Sequence, residues 1–171
     1  METKELTPGK FGVNFGLILG GVMLIISIIM YATDMPFKGI QWPVYLYYIA
    51  FPLTIIYTIS QFKKQNNGLL SLGEAMKTGI VVALISALVY VLYVFIFNYV
   101  IDPTYNSKII DFATEQIAAS EAPVETKEAQ LKMIEFFSSP TMGSVFWVAM
   151  SLFFGLLYSL IGGLVMKRAN E

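Results

Sequence analysis

Residues 11–32 read FGVNFGLILGGVMLIISIIMYA, 22 consecutive positions without an acidic or basic side chain. An α-helix rises about 1.5 Å per residue, so such a run covers the roughly 30 Å hydrocarbon core of a bilayer. It also exceeds the roughly 7–15 apolar residues of a secretory leader, and no small-x-small cleavage pattern follows it. The stretch therefore reads as a membrane anchor, and lipid is the solvent against which the rest of the chain has to be understood.

Three more apolar runs lie downstream. Residues 42–62, WPVYLYYIAFPLTIIYTISQF, open with Pro43 near the first helical position and carry Pro52 at mid-span, where a missing donor is expected to kink the helix. Asn67-Gly68 reads as a turn. The third run, 72–101, has the clearest start: Ser71-Leu72-Gly73-Glu74 is a capping box, with the hydroxyl and carboxylate serving amides that have no helical partner. It closes at Asn98 and Asp102-Pro103. The fourth, 140–166, begins at Ser139-Pro140 and is flanked by Lys167 and Arg168, which suit the negative end of a helix dipole.

Composition agrees with that reading. Of 171 residues, 56% are hydrophobic and 13% charged, against roughly half and a quarter in a soluble domain. The expected fold is an all-α integral membrane protein forming one domain over residues 1–171, with spans at about 11–32, 42–62, 72–101 and 140–166. Between them, residues 103–139 are expected to form a short acidic extracytoplasmic cap: two amphipathic helices broken at Pro123. Their apolar stripes are Ile109, Phe112, Ala113 and Ile117, then Leu131, Ile134 and Phe136 or Phe137.

Lysine and arginine counts beside the spans give the orientation. Lys4, Lys10, Lys63, Lys64, Lys77, Lys167 and Arg168 fall on one side, against Lys38, Lys108, Lys127 and Lys132 on the other. The richer side is expected to be cytoplasmic and to hold both termini.

Small residues recur every four positions in three spans: Gly12, Gly16 and Gly20; Ala75, Gly79, Ala83 and Ala87; Ser151, Gly155, Ser159 and Gly163. In lipid, where packing drives helix association, such stripes let backbones approach closely. They serve either packing inside one bundle or a face for a second copy or another membrane protein.

Candidate chemistry is sparse. The chain has no cysteine and no histidine, which removes thiol nucleophiles, imidazole bases and most zinc or copper sites. A net charge of −1 gives no reason to expect nucleic acid as a partner. Within the spans the polar groups are Asn14, Thr54, Thr58, Ser86, Tyr90, Tyr93 and Asn98, and no carboxylate or amine sits at mid-depth, which argues against ion-coupled transport. Asn14 and Asn98 are expected to hydrogen-bond between helices. Glu74, Lys77 and Asp102 are the charged groups near spans, but Glu74 has a capping role and Asp102 belongs to the other side. A working acid and base must converge, so no catalytic, cofactor-binding or metal-binding residue is assigned; the assigned residues are the stripes and the cap Ser71 with Glu74.

The stretch NNGLLSLGEAMKTG at 66–79 and the FNYVIDP ending at Pro103, with four spans and a glycine-rich first helix, resemble the family called domain of unknown function 4199. That resemblance covers nearly the whole chain and implies a small bacterial inner-membrane protein of Bacteroidetes type. It implies no transferable active-site residue. The expected role is thus a non-catalytic accessory or scaffold subunit in the inner membrane, partnered by the lipid bilayer and by a second copy or a separate membrane protein. The alternative is a small transporter or lipid-handling protein, which would require a polar or lipid-sized cavity between spans near Pro52 and Asn98.

Overall fold

The computed structural model describes residues 7–167; Lys4 and Arg168, used in the charge count, lie outside them. Six α-helices follow one another: α1 (Pro8–Ala32), α2 (Trp42–Gln65), α3 (Leu72–Ile96), α4 (Tyr105–Ala119), α5 (Val124–Ser138) and α6 (Pro140–Met166). Four of them, with α3 prolonged to Ile101, are long and apolar enough to cross a membrane.

Local chemistry sets the ends. Thr7 Oγ1 accepts from the Lys10 amide at 3.4 Å and Pro8 occupies the first turn of α1. At α3, the Glu74 amide donates to Ser71 Oγ at 3.2 Å while the Glu74 carboxylate accepts from the Ser71 amide at 2.8 Å. The reversal between α2 and α3 places Asn67 and Gly68 at φ 55° and 79°, the left-handed region that those residue types tolerate best. Helix α2 runs unbroken through Pro52. At the far end of α3, Phe97–Ile101 widen into a π-helical turn, closed by the Asp102 amide on the Phe97 carbonyl at 2.9 Å. Pro103 then forces Asp102 out of helical geometry.

Helix α3 is the centre of the bundle. On one side α1 runs parallel to it: a Cβ built on Gly12, Gly16 or Gly20 would come within 2.7 Å of the Thr78 carbonyl, Ile85 Cβ or Val89 Cβ. On its other side α6 runs antiparallel, with Gly163 against Ala75, Ser159 against Gly79 and Gly155 against Ala83. The register holds over both seams, so all three small-residue stripes are occupied by packing within one chain. Ser151 and Ala87, one turn further, are buried on the same faces. Helix α2 fills the remaining crevice with Tyr47, Phe51, Ile55, Ile59 and Phe62, and turns Leu46, Ile49, Leu53 and Ile56 outward.

Buried hydroxyls in the tight half are satisfied inside their own helices. Thr58 donates to the Thr54 carbonyl at 2.6 Å, Thr78 to Glu74 at 2.8 Å, Ser86 to Ala83 at 3.0 Å, and Ser159 to Gly155. Asn98 behaves likewise and corrects the sequence reading. Its amide donates 2.8 Å to the Val94 carbonyl of its own helix, because the preceding turn offers an acceptor nearer than any neighbouring helix does.

Candidate functional site

The small-residue registers end at Gly20, Ala87 and Ser151. Beyond them the inward positions are large: Met23 and Met30 on α1, Tyr90, Tyr93 and Val94 on α3, and Trp147 on α6. Side chains of this size hold backbones apart, and a cavity of about 460 Å³ lies among them. Its far wall comes from Tyr105, Asn106 and Ile109 of α4 and from Phe137 at the end of α5.

Helices α4 and α5 thus roof one end of the bundle. Asn106 Nδ2 donates to the Ser138 carbonyl at 2.6 Å, tying the start of α4 to the α5–α6 junction. Tyr105 stacks edge-on against Tyr31 and Phe97 at centroid distances of 5.2 and 5.3 Å, and Phe37 bridges Tyr105 and Phe112 at 5.7 Å to each. Burial pushes the Tyr105 phenol above its ordinary range, and the nearby Asp34 charge adds to this. Ile109, Phe112, Ile117, Leu131 and Ile134 are half-buried, whereas Phe136 and Phe137 are exposed and the acidic side chains face outward.

Asp102 pins this roof to the bundle. Its carboxylate accepts from Thr104 Oγ1 at 2.7 Å, from the Thr104 amide at 3.1 Å and from the Tyr31 hydroxyl at 3.2 Å, with Lys108 Nζ at 3.6 Å. The Thr104 hydroxyl, followed by the Lys108 charge, holds the carboxyl below its usual range, against an opposing push from desolvation.

Two residues of the cavity lining, Ser144 and Trp147, each hold a polar atom that is shut away from the open space and stands apart from this satisfied surrounding. Ser144 is only 8% exposed, and its Oγ has no hydrogen-bond partner among the described residues; neither has the buried indole Nε1 of Trp147. The two residues are three apart on α6, so they share a face. Among the described residues no Asp, Glu, Lys or Arg lines the cavity. Phe146 and Trp147 also line a second space of about 410 Å³ between α2 and α6, bordered by Tyr47, Tyr48, Phe51, Met150, Ser151, Phe154 and Tyr158. They form the partition between the two.

The residues singled out from sequence are distributed differently. The stripes lie on the two seams of α3, and Ser71 with Glu74 caps the end remote from the cavity. A helix of 30 residues, about 45 Å long, separates Glu74 from Asp102. Among the described residues no three Asp or Glu side chains gather closely enough to share a metal ion. Sequence reasoning missed Ser144 and Ser27, although Ser27 with Tyr31 and Ser144 with Trp147 repeat at helical spacing near one end of their spans.

Fold and cavity together define a class: a four-span helical membrane protein, tightly seamed at one end and hollow beneath a two-helix roof at the other. Residues 14–168 match the family described as protein of unknown function DUF4199, and the chain belongs to that family. Neither the curated proteins nor the solved structures gave a match.

Proposed function

We propose that the protein is a non-catalytic inner-membrane protein that holds an apolar or amphiphilic small molecule in the roofed cavity. The cavity carries this reading. Its volume falls in the range of small-molecule sites, with mostly apolar walls and a few convergent polar groups, the usual character of such sites. It lies beside Asn98, one of the two places where a lipid-handling role is expected to need a cavity; Pro52, the other, does not line it.

Both termini are cytoplasmic in this proposal and the roof is external. Lys10, Lys63, Lys64, Lys77 and Lys167 at the seamed end support that orientation, against Lys38, Lys108, Lys127 and Lys132 on the other side, of which the last two stand on α5 and count for less where they lie far from a span. Cysteines introduced one at a time at Asn67 and Ser120 of this cysteine-free chain should label from opposite sides of sealed vesicles. Labelling from one side would overturn the orientation.

An accessory or scaffold role, with a second copy or another membrane protein as partner, is the second reading. Exposed Met133 and Phe136, three apart on one face of α5, support it as a surface another chain could cover. Native mass spectrometry of protein purified in mild detergent tests both. Cavity binding predicts a small molecule retained by the native chain and lost on Ser27→Phe, which fills the space. A stoichiometric foreign chain, with nothing retained in the cavity, would favour the scaffold.

A further inference from the structure

Outside the roofed cavity, one pocket brings opposite charges and aromatic rings together. It has a volume of about 340 Å³ and lies between the turn after α1 and the start of α4, walled by Asp34, Asp102 and Lys108 and by the rings of Tyr31, Phe37 and Tyr105. Its charged groups can be reached from outside: Asp34 is exposed, and the side chains of Asp102 and Lys108 are 17% and 55% exposed. The charges of Asp34 and Asp102 both bear on the Tyr105 phenol, which sets the two carboxylates around one ring.

The two carboxylates are unequally occupied. Asp102 accepts from Thr104 and Tyr31, with Lys108 Nζ 3.6 Å away in the one ion pair among the described residues. Among those residues the Asp34 carboxylate has neither a hydrogen-bonding nor an ionic partner. Two carboxylates against one ammonium leave the pocket with negative charge in excess, so it suits a cation. A metal ion fits poorly, since calcium takes about six to eight oxygen ligands and much of this wall is ring carbon. An organic ammonium fits better: its N–H groups donate to carboxylates, its methylenes cover the rings, and aromatic rings attract cations. Depth points the same way. Helix α1, 25 residues and about 37 Å long, exceeds the roughly 30 Å hydrocarbon core, so the pocket at its end lies level with lipid headgroups. Lys108 stands there as a partner for a headgroup phosphate.

We infer that this pocket binds a primary organic ammonium, held by Asp34 and Asp102 beside the rings of Tyr31, Phe37 and Tyr105. Two sources share that chemistry: the ethanolamine headgroup of a phospholipid and a free short-chain amine. The site is separate from the cavity and does not rest on the reading above.

Native mass spectrometry of the full chain in detergent measures affinity for dioctanoyl phosphoethanolamine, its trimethylated phosphocholine counterpart, dioctanoyl phosphoglycerol, and free ethanolamine. The ethanolamine lipid should bind saturably and about fivefold more tightly than the other two lipids, the scale of one exposed ion pair. Displacement by free ethanolamine at comparable concentration supports the inference with a soluble amine as source; binding of the lipid alone supports it with the headgroup as source. Asp34→Asn should weaken binding about fivefold. Asparagine tolerates the left-handed backbone of this position, φ 52°, so the variant keeps its fold. Glu121→Gln, an equal loss of charge on a roof residue that does not line the pocket, should leave binding unchanged. The inference is overturned if the phosphocholine or phosphoglycerol lipid binds as tightly, if Asp34→Asn has no effect, if Glu121→Gln has the same effect, or if no probe binds saturably. The cavity reading stands or falls apart from each of these results.

Discussion

Gly20→Ala and Gly21→Ala place the same methyl group at adjacent positions of one helix, with opposite surroundings. At Gly20 the new Cβ would stand 2.7 Å from Val89 Cβ and 2.8 Å from its Cγ1, closer than packed carbons approach, so α1 and α3 must separate or Val89 must leave its place. At Gly21 nothing lies within 4 Å. Alanine improves a helix interior by about 0.5–1 kcal/mol over glycine, while overpacking a tight contact costs about 1–3 kcal/mol. The net for Gly20→Ala is a loss of about 1–2 kcal/mol, and for Gly21→Ala a gain of a few tenths or more. At about 2–4 °C per kcal/mol for a chain of this size, Gly20→Ala should unfold roughly 2–8 °C below the native protein and Gly21→Ala at or slightly above it. Circular dichroism in a single detergent gives the midpoints, with particle mass measured in parallel. Equal midpoints for the two variants would refute the seam. So would a halved mass for Gly20→Ala with an unchanged midpoint, which would assign the stripe to contact between copies.

Two other expectations concern the ends of α3. Ser71→Ala removes the hydroxyl that receives the Glu74 amide and should cost about 1 kcal/mol, read as a lower midpoint in the same assay. Glu74→Gln, which keeps an acceptor for the Ser71 amide, should cost less. Asp102 has a depressed folded-state pKa, so its contribution to holding the roof is complete above the ordinary carboxylate range near 3.9 and is lost as pH falls below it. A fluorophore attached at Ser120 should report constant roof mobility from neutral pH down to the ordinary carboxylate range, then loosening at pH values below it. Asp102→Asn should be loose throughout, and a native roof insensitive to that acid range would refute the role given to Asp102.

Much of this architecture was readable because lipid imposes long runs. The apolar stretches located four helices, Ser71 with Glu74 fixed a start that the backbone keeps, and Pro123 separated the two short helices, since its ring cannot continue a helical ladder. The ends of α1 and α2 were less legible: Pro8–Lys10 and Lys63–Gln65 are helical but polar, so hydropathy gives them no weight. Pairing was beyond reach of the pattern. Nothing in Gly12, Gly16 and Gly20 says that they face the third span instead of the second, because each stripe only states that some backbone comes close. The cavity was hidden for a related reason. Its walls come from all six helices, and only three-dimensional register brings Ser27, Tyr90, Asn106 and Ser144 around one space. Asn98 points to a further limit: side-chain type gives hydrogen-bonding capacity, while the nearest acceptor is decided by the turn it stands in.

The central place of α3 carries a consequence for how the chain is made. Helix α1 meets α3 far more extensively than it meets α2, its neighbour in sequence. During synthesis the first two spans therefore reach the bilayer before the partner that will hold α1 exists, and they wait as a loosely joined pair. The third span docks along Gly12, Gly16 and Gly20 and at once presents Ala75, Gly79 and Ala83 to the span still to come. Helix α6 is separated from α3 by α4 and α5, so the roof must be translated, and in the proposed orientation carried across the membrane, before the second seam can close. The hollow beneath it exists only once the last helix has arrived, and any occupant enters a site that assembly completes at its final step.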